Sequence, residues 1–133
     1  MLCDDKAEFF WENGFCSLGQ ILSREDALEI RRHVERFETD HPQAVGKLDL
    51  KVNLLFTWCD DLSSHPLVMP QLASLLGPNI LCHSAAFRNK APDGRTHVSW
   101  HQDTTYEQVD PCKVIAWYAI TDATKENGCL RFV

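Results

Sequence analysis

At 133 residues, 44% of them hydrophobic and 24% charged, the chain has the size and balance of one soluble globular domain with a modest core, not of two. A formal net charge of −6 argues against nucleic acid or an anionic membrane surface as the main partner. No apolar run approaches a membrane span, and the N-terminus is acidic (Asp4, Asp5, Glu8) where a signal peptide would be basic, so the sequence reads as intracellular and cytoplasmic.

Taken in order, residues 4–13 predict a short helix that stops at Asn13-Gly14, a C-cap signal. Residues 15–18 suggest a short strand. Ser23 then stands where an N-cap belongs, followed by an acid at the third helical position, Asp26. Ala27, Ile30, Val34 and Phe37 recur at helical spacing, with Arg31, Arg32, Glu35 and Arg36 mostly on the other face. This predicts an amphipathic helix over 24–38 lying on a core. His41-Pro42 to Gly46 reads as a loop, and Lys51 to Phe56 is a short apolar run that periodicity alone does not assign. Pro66 opens a predicted helix through Leu76, closed by Gly77-Pro78.

The second half reads differently. Residues 80–89 alternate, Ile80, Cys82, Ser84 and Ala86 against Leu81, His83, Ala85 and Phe87, which predicts a strand. Residues 97–106, HVSWHQDTTY, follow the turn signal Pro92-Asp93-Gly94 and are rich in β-branched and aromatic residues, again a strand. Residues 114–121 form a longer apolar strand, and Lys125-Glu126-Asn127-Gly128 is a hairpin turn signal leading into a returning strand at 129–133. Helices first and strands after predict an α+β protein whose helices buttress an antiparallel sheet or barrel. A last strand that stops at Val133 would leave an unpaired apolar edge, open to pairing with another chain, and all-β barrels commonly need roughly 200 to 250 residues. The chain therefore reads as the N-terminal part of something larger.

The chemistry concentrates at His101 and Asp103. On a strand, residues two apart share a face and lie about 6.6 Å apart along the backbone, so an imidazole and a carboxylate would aim at one point. Such a pair supplies two of the three ligands of the facial triad that suits non-haem Fe(II). The same tripeptide also describes a simple hydrogen-bonded histidine and aspartate, because H-x-D specifies only two residues. A zinc hydrolase is a weaker alternative, since neither H-x-H nor H-E-x-x-H is present. The six cysteines, at 3, 16, 59, 82, 112 and 129, show no C-x-x-C spacing and read as free thiols. Trp11, Trp58 and Trp100 read as core or rim aromatics, and Arg88, Lys90 and Arg95 as solvated cations that could also draw an anionic substrate.

Several segments, in order, carry a resemblance. F-x-x-N-G-F near the N-terminus, the helix from Ser23, L-L-x-x-L-G-P-N-I-L, W-H-Q-D-T-T-Y and W-Y-A-I-T-D-A-T-x-E-N-G-C-L-R-F-V together resemble the phytanoyl-CoA dioxygenase-like family of Fe(II)/2-oxoglutarate-dependent oxygenases. The resemblance covers nearly the whole chain, and its last two motifs are the specific ones. It implies N-terminal helices packed on a partial double-stranded β-helix (jelly-roll) sheet, and hydroxylation of a small organic substrate by O2 with 2-oxoglutarate as cosubstrate. By position, His101 and Asp103 match the first two iron ligands. Trp117 matches a tryptophan lining the 2-oxoglutarate pocket, Lys51 resembles the lysine that contacts 2-oxoglutarate, and Thr104 and Tyr106 would face substrate or cosubstrate. Ala86 stands where relatives often carry a methionine. An aspartate at 103 favours hydroxylation over halogenation, since halogenating relatives carry a small residue there.

The departure is at the end. The continuation into P-G-S-H, the second histidine ligand and the arginine that grips 2-oxoglutarate have no match here, and neither His83 nor His97 replaces that histidine. The expectation is a chain that is not a competent oxygenase alone. The alternative is a non-catalytic binding or regulatory module that keeps the fold's first half.

Overall fold

The computed structural model describes residues 4–90, 97–103 and 113–133. Their regular elements are all helical: α1 (Asp4–Asn13), α2 (Arg24–Asp40), a 3₁₀ helix (Pro42–Asp49), a second 3₁₀ helix (Val52–Leu54), α3 (Thr57–Ser63) and α4 (Met69–Leu76).

Helix α1 ends where the sequence predicts: Gly14 sits at φ 79° and its N–H bonds the Phe10 carbonyl at 2.7 Å, a conformation glycine adopts without a Cβ penalty. Helix α2 opens on a complete capping box. The Ser23 hydroxyl accepts from the Asp26 N–H at 3.1 Å, and the Asp26 carboxylate accepts from the Ser23 N–H at 3.2 Å. Those bonds, the Ser23 side chain's first, hold the Asp26 carboxyl below its ordinary range. The helix buries Ile30 and Val34 and turns its charges outward, where Arg31 and Glu35 pair at 2.7 Å with both side chains half exposed. Exposed i,i+4 pairs of this kind add only a few tenths of a kcal/mol, so packing rather than charge holds α2 in place.

The core lies between α2 and the two 3₁₀ helices. Val34, Leu48, Val52 and Cys59 form its buried centre, with Phe37, Phe56, Trp58, Ala85 and Phe87 packed around it. The aromatic rings run in series: Phe37 against Phe56 at 5.3 Å, Phe56 against Trp58 at 5.4 Å, and Trp58 against Phe87 at 5.5 Å. His33 of α2 also stacks on Trp58, at 5.1 Å. Burial also pushes the Cys59 thiol up to about 12, since an apolar surround disfavours the thiolate. The last helix starts at Met69 rather than Pro66, because Val68 and Met69 both bond back to the His65 carbonyl in a tight turn first.

The expected partial jelly-roll sheet is a correction: no strand occurs among the described residues. The alternation holds only over 85–88, where Ala85 and Phe87 pack on the core and Ala86 and Arg88 are exposed; Leu81, on the side of Ala85 and Phe87 by parity, is exposed as well. What is missing is the ladder. Phe87 N–H bonds the Leu48 carbonyl at 2.8 Å, Val52 N–H bonds the Ala85 carbonyl at 3.0 Å, and Asn53 Oδ1 accepts from Ala85 N–H at 3.1 Å. The partners are 3₁₀ helices, whose carbonyls and N–H groups do not repeat at strand spacing, so the segment is extended without being a strand. Residues 15–18, 97–103, 114–121 and 129–133 likewise carry no ladder. Lys125 to Gly128 does form a turn, closed by Cys129 N–H on the Thr124 carbonyl at 2.9 Å, but it joins no paired strands. The open sheet edge expected to pair with another chain is accordingly absent among the described residues. No helix among them is long and apolar enough to cross a membrane.

Candidate functional site

The segment that carries His101 is irregular, and its backbone does something specific. The Ser99 carbonyl lies 2.7 Å from His101 Nδ1. A carbonyl oxygen only accepts, so Nδ1 carries a proton and points it there. Fixing one ring nitrogen in this way determines what the other presents. His101 Nε2 then faces Asp103 Oδ1 at 3.1 Å, and the two side chains are 33% and 45% exposed.

In the neutral ring this places a lone pair against a carboxylate oxygen. A contact at that distance between a ring nitrogen and a carboxyl oxygen is held by a proton shared between them or by a cation bound to both. The spacing fits the metal case, because neighbouring donors around an octahedral ion with bonds of about 2.1 Å stand about 3 Å apart. It fits the proton case equally well as a charge-assisted hydrogen bond. Among the described residues, no group of three His, Cys, Asp or Glu side chains converges to complete a cation site.

The other residues marked from the sequence have separate surroundings. Lys51 caps the second 3₁₀ helix in the left-handed region, φ 54° and ψ 37°, and is the one non-glycine residue with positive φ among those described. Its N–H bonds Ser84 Oγ at 3.2 Å, which ties it to the 80–89 segment, while its exposed side chain has no ion-pair partner among the described residues. A lysine in this conformation is strained by the Cβ contact that glycine lacks, and such strain concentrates at functional positions. Trp117 is 49% exposed, next to Tyr118, whose hydroxyl donates to the Leu62 carbonyl at 3.0 Å and whose burial raises its own pKa. Thr104 and Tyr106, like Arg95, lie outside the described residues.

The cations considered for drawing a substrate have structural work. Lys90 Nζ donates to the Gly128 carbonyl, and Arg88 Nη1 donates to the Asp49 carbonyl at 3.2 Å. Trp58 is a core aromatic; Trp11 and Trp100 are exposed. Trp100 lies under the Arg131 guanidinium, 5.6 Å from its ring centroid, a contact the sequence reading missed because 30 residues separate the two. A shallow groove of about 400 Å³ is lined by Phe37, His41, Lys47, Leu55 and Phe56 among others, and by none of the residues marked above.

With that geometry in view, the comparisons are specific. The family model described as phytanoyl-CoA dioxygenase matches residues 10–133. Three curated relatives named "Phytanoyl-CoA dioxygenase, peroxisomal" align over 155 residues: those of Bos taurus and Mus musculus at 26% identity and that of Rattus norvegicus at 24%. Each alignment covers 95% of this chain and 45% of the relative, so the chain spans about half the length of the proteins it matches. No solved structure matches.

Proposed function

The chain belongs to the phytanoyl-CoA dioxygenase family, and on that basis we propose that its chemistry is Fe(II)- and 2-oxoglutarate-dependent hydroxylation of a small organic substrate by O2, with His101 and Asp103 as two of the iron ligands. The observation that carries this is the single contact between His101 Nε2 and Asp103 Oδ1, made with Nδ1 already committed to Ser99. It supports the reading because a ligating histidine needs its free nitrogen turned to the metal and its other nitrogen anchored.

Iron bound there would supply the redox chemistry on O2 and 2-oxoglutarate, and the protein's part is to bind and orient. Ser99 holds the ring tautomer. Asp103 brings a negative charge that an Fe(II) ion attracts. Lys51 offers an ammonium without an ion-pair partner among the described residues, suited to a carboxylate of 2-oxoglutarate as a point charge rather than a fork. Trp117 offers a half-exposed apolar face to the cosubstrate, and Thr104 and Tyr106 complete the proposed contacts. The proposed compartment is intracellular.

Two donors bind a metal far less tightly than three. Each missing charge-assisted contact is worth about 1.5–3 kcal/mol, roughly 10- to 150-fold in affinity. The expected behaviour of these 133 residues by themselves is therefore weak metal binding and no turnover of 2-oxoglutarate to succinate. The test titrates Co(II), as a spectroscopic substitute for Fe(II), into the chain and into the His101→Ala and Asp103→Ala variants. Loss of the Co(II) absorption in both variants is expected. Equal binding by all three chains would remove the pair from the reading.

A second reading starts from the same contact, His101 Nε2 to Asp103 Oδ1 at 3.1 Å. In a non-catalytic binding module of the same family, His101 and Asp103 would be a hydrogen-bonded pair. Retained Co(II) silence in the unaltered chain, with a doubly protonated His101 ring by NMR, favours that reading.

A further inference from the structure

Residues 97–102, which lead up to the His101–Asp103 pair, lie in neither a helix nor a ladder. Within the segment, the His101 ring is held against the Ser99 carbonyl at 2.7 Å. A contact from a distant part of the chain reaches the segment at the residue just before the histidine. Arg131 lies over the face of Trp100 at 5.6 Å. A guanidinium within about 6 Å of an indole centroid is held by the ring's quadrupole, and tryptophan gives the strongest such contact.

Arg131 is itself anchored. Its neighbour Phe132 stacks on Phe15 at 4.3 Å with the rings 9° apart, and Phe15 meets Phe9 of α1 edge-on at 5.6 Å. Two residues back, Cys129 N–H closes the turn on Thr124, and Lys90 reaches the Gly128 carbonyl. The 128–132 segment is thus tied to the N-terminal helix on one side and to the 80–90 segment on the other. A continuous series of contacts runs from α1 through Phe15, Phe132 and Arg131 to Trp100, and ends one peptide bond from His101.

We propose that Arg131 is a positioning residue for the His101–Asp103 pair, acting through Trp100. It touches neither side chain of the pair. It restrains the backbone that carries the histidine, so that the imidazole meets the carboxylate more often than in a free segment. Both partners of the contact are exposed, Trp100 at 61%. Exposed cation–π contacts set the scale, so the expected loss on removing the charge is about two- to five-fold in the population of the paired arrangement.

The test has one arm that needs no metal. Arg131→Gln keeps most of the side-chain stem and removes the charge, and Trp100→Leu removes the ring; Arg131→Lys keeps a cation. The ¹⁵N shifts of the His101 ring, whose values depend on its bonds to Ser99 and Asp103, are measured at fixed pH in each chain. They are expected to move toward those of a free histidine in Arg131→Gln and in Trp100→Leu, by equal amounts, with no further change in the double variant and partial return in Arg131→Lys. A merely structural role would lower the melting temperature and leave these shifts in place. Unchanged His101 shifts in Arg131→Gln overturn the proposal.

The second arm rests on the iron reading and reports on it separately. Co(II) affinity is expected to fall about two- to five-fold in Arg131→Gln. If the unaltered chain binds no Co(II), the iron reading fails while the ring shifts still decide the role of Arg131.

Discussion

Leu48 and Leu50 lie two positions apart in Lys47-Leu48-Asp49-Leu50, and their fates are opposite: Leu48 is 2% exposed and Leu50 62%. On a strand they would share a face. In the 3₁₀ helix that ends at Asp49, three residues complete a turn, so Leu48 points at Val34, Val52 and Cys59 while the chain turns Leu50 away. Leu48→Ala removes about three buried methyl or methylene groups, worth about 2.4 kcal/mol at about 0.8 kcal/mol each. The cavity adds to that, since buried neighbours close in only partly, and the total falls at about 2–5 kcal/mol. For a chain of this length, each kcal/mol lowers the melting temperature by about 4 °C, so the shift is about 8–20 °C. Leu50→Ala, on the exposed side, is expected to cost less than about 0.5 kcal/mol. Urea denaturation followed by tryptophan fluorescence measures both, with thermal melts as a check. Equal losses in the two variants would refute the helical geometry of this segment, and with it the docking of 80–89 onto 3₁₀ helices.

Two other positions, Cys59 and Lys51, carry further expected outcomes. Cys59 is buried and its thiol raised to about 12, whereas Cys82 is exposed; alkylation at pH 8, followed by mass spectrometry, is expected to modify Cys82 in the native chain and Cys59 only after unfolding. The sign of the pH effect is fixed as well: a folded pKa above the unfolded value near 9.0 means that the buried neutral thiol contributes stability below about pH 9, lost progressively as pH rises toward 12, and Cys59→Ser should flatten that alkaline decline. At Lys51, glycine accepts the left-handed backbone and alanine does not, so Lys51→Gly is expected to be about 0.5–1 kcal/mol more stable than Lys51→Ala by denaturant midpoint. Both variants should lose the same 2-oxoglutarate affinity by calorimetry if the ammonium is the contact, and retained affinity in either would remove Lys51 from the proposed site.

Much of this protein is written in short windows of its sequence. The caps at Asn13-Gly14 and Ser23, the apolar stripe of α2, the stop at Gly77 and the turn at Lys125 to Gly128 all depend on residues within one or two turns of each other, which is why they were legible without coordinates. The family motifs were legible too, because they are strings of adjacent residues. The sequence brought His101 and Asp103 together only by way of a strand; in the structure they meet without one, through the backbone of 99–103. What it could not decide is pairing. Alternation in 80–89 determines that one side of an extended segment is apolar, but the partner of Phe87 is Leu48 and that of Ala85 is Val52, more than thirty residues away and in 3₁₀ helices. Helix α3 was missed because its seven residues are too few to show a period, and its burial of Cys59 depends on the neighbouring 3₁₀ helices. The left-handed Lys51 and the Arg131–Trp100 contact belong to the same class. Local rules fix what a segment prefers to be; only the competition among distant segments for one small core determines what each segment meets.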